Sequence, residues 1–256
     1  MVSKPFAIAF ALLFSGSSGL AQSDSALLNK TPALPPSPPA RVLTPEERGD
    51  IMMARKMYRE AIEVFQSAPP SAVVYNKIGI AYHQLQQLDN AKKSYDRALK
   101  VKRDYAEALN NIGTVYYAKK SYRRAISYYQ KALRLSPGSA SVYSNLGTAL
   151  FARKKYDDAT EAYQKALALD PEVFEHRSNY GTMLEDRNVE ERAKFHYYLA
   201  KMYAKSGRNE MALQYVRKAL EEGFKDKKKF EEESEFQALR SLPEFKDLLT
   251  TEPRVL

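Results

Sequence analysis

Apolar residues recur at i, i+3, i+4 and i+7 through most of the chain from residue 44 to residue 249, the signature of helices with one buried face. A longer period overlies this one. Gly79, Gly113, Gly147 and Gly181 stand 34 residues apart, in a chain with only ten glycines. A fixed period of this length marks a stacked helical repeat. With each glycine taken as position 8, the units are 72–105, 106–139 and 140–173. Position 4 is Tyr75, Leu109, Tyr143, and position 7 is Ile78, Ile112, Leu146. Position 11 is Tyr82, Tyr116, Leu150, and position 24 is Tyr95, Tyr129, Tyr163. Positions 20 and 27 are alanine in all three units: Ala91, Ala125, Ala159 and Ala98, Ala132, Ala166. Small residues let two antiparallel helices approach, and large ones fill the space between them at native density. Pro137 and Pro171, at position 32, stop the second helix and force the turn into the next unit.

The ends of the array depart from this pattern. Thr44-Pro45-Glu46-Glu47 is a helix start, with Thr44 as cap, Pro45 in the first turn and Glu47 completing a capping box. Tyr58 to Phe65 then fits a second helix that Pro69-Pro70 cuts about four residues short. Residues 44–71 are therefore expected to form a degenerate first repeat. Residues 174–192 form an irregular unit, and the helix over about 189–206 matches two templates. Ala193, Tyr197 and Ala200 fit a second helix following Gly181. Leu199, Ala200 and Tyr203 fit the first helix of a unit at 193–226, completed by Gly207, Ala212, Val216 and Ala219. A register shift is expected there. Residues 227–256, with Phe236, Leu239, Leu242, Phe245, Leu248 and Leu249, are expected to supply C-terminal capping helices.

The position code of 72–173 resembles the tetratricopeptide repeat, with Tyr or Leu at position 4 where that family has Trp. The resemblance extends over about 42–226. It implies an all-α fold, a right-handed α-solenoid of antiparallel helix pairs with degenerate terminal caps. It also implies that the first helices line a concave groove. The residues so placed include Lys77, Asn110, Asn111, Thr114, Tyr117, Asn145, Thr148, Phe151 and Asn179. An asparagine side chain both donates and accepts hydrogen bonds. A row of them one repeat apart suits the backbone of an extended peptide, with Tyr117 and Phe151 supplying apolar area. Lys77 is the only basic residue at positions 5 and 6 of the four units, which speaks against the family's carboxylate clamp.

Residues 1–21 read as a cleavable signal peptide of bacterial type. Lys4 precedes an apolar core over 6–14, and Gly19-Leu20-Ala21 places cleavage after Ala21. The expectation is export to a periplasm or the exterior. With no cysteine, lipid attachment and disulfides are not expected. Residues 22–43 are a Pro-, Ser- and Ala-rich linker expected to be disordered, with no core of its own.

Charge adds a second candidate surface. The formal net charge is +9, and Lys119, Lys120, Arg123, Arg124, Arg153, Lys154 and Lys155 cluster at helix-to-helix turns. Repetition places them along one edge, where they would attract an anionic envelope polymer or simply solvate the turns. Chemistry is not expected. His83, His176 and His196 lack metal-ligand spacing, and there is no phosphate loop or nucleophile elbow. Asp157-Asp158 and Glu190-Glu191 sit at helix starts, where they complement the dipole. The reading is a non-enzymatic protein- or peptide-binding adaptor or scaffold of the cell envelope, without cofactor or metal, and with no nucleic-acid partner. The alternative is an assembly component that binds anionic partners through the basic edge.

Overall fold

The computed structural model describes residues 42–174 and 189–250. The chain divides into two units, Met1–Val42 and Leu43–Leu256, and every described helix belongs to the second. Twelve α-helices are present among the described residues, with no strand. They are α1 (Pro45–Ala54), α2 (Tyr58–Gln66), α3 (Ala72–Gln84), α4 (Leu88–Val101), α5 (Ala106–Ala118), α6 (Tyr122–Leu135), α7 (Ala140–Ala152) and α8 (Tyr156–Leu169). Beyond residue 188 come α9 (Val189–Lys205), α10 (Asn209–Glu221), α11 (Lys228–Glu232) and α12 (Pro243–Thr250), with a 3-10 turn at Ser234–Phe236. Consecutive helices pack in pairs, α1 with α2 through α9 with α10. The fold is an all-α solenoid.

The first helix starts as the sequence predicts. The Glu47 amide donates to Thr44 Oγ1 at 3.2 Å, and the Thr44 amide donates to Glu47 Oε2 at 2.9 Å. The first four pairs are each locked by one contact. A Cβ built on Gly79, Gly113 or Gly147 would lie 2.4 or 2.5 Å from the ring of Tyr95, Tyr129 or Tyr163, sixteen residues on. Gly49 holds the same place under Phe65, with 2.3 Å to the ring. Residues 44–71 therefore carry the same inter-helix lock, and Gly49 is a lattice glycine displaced by the short first unit. The intra-pair turns share one geometry. The first helices end with a residue in the left-handed region: Lys56, Gln86, Lys120, Lys154 and Gly207, with φ between 56° and 73°. The following amide reaches back to the last turn, as Ser121 N to Tyr116 O at 2.8 Å, which satisfies an orphan carbonyl.

Helix α9 runs through the boundary predicted at 192–193. It packs against α10 as the first helices of the earlier units pack against their second. Its position 8 is Ala200 and its position 24 is Val216, both fully buried. A methyl group stands where the other units have none, and the ring that would strike it is absent. Tyr197, position 24 in the template that follows Gly181, packs toward the C-terminal helices. Its ring lies among Phe224, Phe230 and Phe236, with centroids 4.5, 5.4 and 6.1 Å away. These rings and Phe245 close the C-terminal end, all buried except the half-buried Phe224. Gly181, Asn179 and His176 lie outside the described residues.

Candidate functional site

The asparagines predicted to face a ligand bind one another. Asn111 Nδ2 donates to Asn76 Oδ1 at 3.0 Å, and Asn145 Nδ2 donates to Asn110 Oδ1 at 3.0 Å. Asn110 Nδ2 donates to Asn111 Oδ1 at 3.3 Å and so joins the two rungs. The rule is constant: position 6 of one unit reaches position 5 of the unit before. Lys77 obeys it with a charge. Its Nζ donates to Glu46 at position 5 and to Asp50 at position 9 of the first unit, each at 2.7 Å. Burial opposes the ammonium charge, but these two carboxylates outweigh it and raise the Lys77 pKa. Lys77, Asn110, Asn111 and Asn145, expected to line a groove, thus also hold neighbouring repeats together. Their first partners are the neighbouring repeats, because side chains at positions 5 and 6 meet across the seam between stacked first helices.

The threonines are also committed inward. Thr114 donates to Asn110 O at 3.2 Å and accepts from the Tyr129 hydroxyl at 3.4 Å. Thr148 donates to Ser144 O at 3.0 Å, accepts from the Tyr163 hydroxyl at 3.3 Å, and is 2% exposed. Phe151 is 4% exposed, packed edge-on against Tyr156, Phe195 and Tyr198. Thr148 and Phe151 are thus core residues, not groove residues. Position 12 is covered here because α9 brings Phe195 and Tyr198 against the end of α7. Tyr117 remains half-buried beside Tyr122, and Asn110, Asn111 and Asn145 are half-buried. Ser144 Oγ, the next position-5 acceptor, is buried without a partner among the described residues.

The basic edge is not uniform. Lys119 pairs with Asp89 of the preceding unit, Lys155 pairs with Asp158 at 2.8 Å, and Arg124 lies 5.5 Å from the Tyr116 ring. Lys120 and Lys154 hold the left-handed turn positions. Arg123 and Arg153 form no ion pair among the described residues, and both line one cleft with Lys155. No cluster of three or more metal-ligating side chains occurs among the described residues. His83 has its pKa lowered by burial. His196, 8% exposed, is likewise lowered by burial, against the opposing pull of Glu222 at 2.6 Å from Nδ1.

Models of the tetratricopeptide repeat match residues 70–138 and 104–172, and a second such model matches 193–222. The chain is a tetratricopeptide-repeat protein. The second match spans the α9–α10 pair and agrees with α9 as a first helix. No curated protein matches the sequence. Among solved structures, the array is similar to MamA from Desulfovibrio magneticus RS-1 (residues 41 to the end). That likeness has 21% identity and a TM-score of 0.48, and covers 71% of this chain and 94% of that one. Two other MamA crystal structures are 22% and 24% identical with TM-scores of 0.46 and 0.45. They cover 70% and 52% of this chain, and 96% and 75% of theirs.

The sequence marks residues 44–71 as a repeat but does not show their rung to Lys77. The repeat's own signal is present: Gly49 precedes Phe65 by the same sixteen residues that separate Gly79 from Tyr95. Asn76 and Ser144, at position 5 of their units, also belong to the seam.

Proposed function

We propose that this tetratricopeptide array is a non-enzymatic scaffold, exported to the cell envelope, that binds an extended peptide segment along its first-helix face. The observation that carries the reading is the ladder over Asn76, Asn110, Asn111 and Asn145. Each rung uses one N–H of the donating amide, and a primary amide has two. Among the described residues, the second side-chain N–H of Asn111 and of Asn145, and Asn145 Oδ1, are not used by the ladder and are offered to a ligand backbone. The ladder also holds these groups at fixed spacing, which lowers the ordering cost of binding. Half-buried Tyr117 supplies a neighbouring apolar contact. Export rests on the apolar core and small-residue cleavage pattern of residues 1–21.

The test compares partners captured by crosslinking from the native envelope with wild type, with Tyr117→Ala and with Asn145→Ala. Loss of a common partner from both variants, with helical content intact, is the expected result. An unchanged partner set would remove the first-helix face from consideration. A cell-fractionation assay of the full chain tests export separately: the processed form should begin at Gln22.

A second reading, binding of anionic partners at the basic edge, is favoured by Arg123 and Arg153 alone. Lys119 and Lys155 already pair with carboxylates.

A further inference from the structure

The outer seams between successive units differ. In unit 106–139, Tyr116 and Tyr128 stack with ring centroids 5.3 Å apart at 25°. Arg124 lies over Tyr116 and Lys131 over Tyr128, at 5.5 and 4.8 Å. The seam to unit 72–105 is tied by Lys119 to Asp89. One repeat later the same positions change character. Leu150 replaces Tyr116 and Ala162 replaces Tyr128, so two rings are lost. Arg123 replaces Asp89 and Arg153 replaces Lys119, so an ion pair becomes two like charges on one seam.

The result is a cleft of about 330 Å³ between α6, α7 and α8. Ile126, Leu146 and Leu150 give it an apolar floor, and Tyr143 and Ala162 add to the lining. Four cations line it, Arg123, Arg153, Lys155 and Lys165, against the carboxylates of Asp158 and Glu161. Lys155 holds Asp158 at 2.8 Å, and Lys165 lies 5.9 Å from the Tyr143 ring. Like charges left facing across a seam raise the free energy of the unliganded array, and an anion placed between them removes that repulsion. An apolar floor beneath charged walls selects a ligand carrying both characters.

We propose that this cleft is a docking site for an acidic peptide segment with an aliphatic side chain among its carboxylates. The carboxylates lie between Arg123 and Arg153, where guanidinium groups take carboxylate oxygens two at a time. The aliphatic group fills the volume that Tyr128 occupies one repeat earlier. The site is separate from the asparagine ladder and stands whether or not that face binds peptide.

The test uses the full chain and a fluorescein-labelled peptide of alternating glutamate and leucine, followed by fluorescence anisotropy. A peptide with glutamine for glutamate is the control. The expected result is binding of the acidic peptide, at least tenfold weaker for the glutamine control and weakened by added salt. Arg123→Asp restores the charge pattern of the closed seam and should weaken binding at least tenfold while leaving the melting temperature unchanged or raised. Ala162→Tyr, which restores the ring, should do the same by filling the cleft. Asn145→Ala should leave this binding unchanged. Equal binding by wild type, Arg123→Asp and Ala162→Tyr would overturn the proposal. Binding of polyphosphate without binding of the glutamate–leucine peptide would overturn it too.

Discussion

At the level of single residues, two exchanges carry most of the structure. The first is the glycine beneath a ring. Gly147→Ala places a methyl carbon 2.5 Å from the Tyr163 ring, an overpacking expected to cost about 1–3 kcal/mol. Tyr163→Val should recover part of that loss, because the chain itself pairs Ala200 with Val216. A double-mutant cycle in urea checks this: additive losses would contradict the steric account. The second is the polar seam. Asn111→Ala removes a half-buried rung to Asn76, and roughly 1 kcal/mol of stability should go with it, with Asn76→Ala adding little more on top. The glycine lattice was legible in the sequence because it repeats every 34 residues. The rungs were not, because partners 35 residues apart meet only once adjacent first helices are laid side by side. Asn, Thr and Lys there look like ligand groups by residue type alone. The structure shows that much of their polarity serves the stacking of repeats.

Between helices, the turns and the register of α9 decide the outcome. Lys120 and Lys154 hold φ of 56° and 62°, a conformation that costs a side-chain-bearing residue about 1–2 kcal/mol. Lys154→Gly should therefore stabilise the fold by about 0.5–1 kcal/mol, less the added chain entropy of glycine, and thermal melting checks the sign. Two templates competed for α9 because its tyrosines and alanines satisfy both, and periodicity could not arbitrate between them. The packing of α9 against α10, like that of the other first helices against their second, supports the later template. The junction of α9 and α10 also holds a titration. Burial lowers the His196 pKa below its ordinary value of 6.5, Glu222 opposes this, and Lys218 and Arg192 support it. The unfolded chain then binds the proton more readily than the folded one. This contribution is present above pH 6.5 and is lost as pH falls from 6.5 toward the lower folded value. Buried His83 acts in the same direction. Denaturation midpoints should fall between pH 7 and 5.5, and His196→Gln should flatten that slope. A midpoint that rises with acid would contradict the assignment.

For the whole molecule, the solenoid presents two faces with different chemistry. The first-helix face is amide-rich after the charged Lys77 rung to Glu46 and Asp50, and is braced by its own ladder. The outer seam is closed by stacked tyrosines and an ion pair in one repeat and opened by Leu150, Ala162 and Arg123 in the next. All-α stacking was legible from the composition of positions, since the three units of 72–173 repeat the same small and large residues. The difference between the seams was not, because it depends on which residues fall opposite one another across two units. Read along the turns, the basic residues formed one edge; in the fold, Lys119 and Lys155 are spent on carboxylates and Arg123 and Arg153 are left facing a cleft.

The most direct test of the scaffold account is a measured peptide affinity at the ladder. Peptides selected from a random library on the full-length array would be titrated by calorimetry into wild type and into Asn111→Ala with Asn145→Ala, after both are shown to be folded. Loss of two amide contacts predicts a fall in affinity of about tenfold or more. Equal affinity for both proteins would contradict binding along the first-helix face.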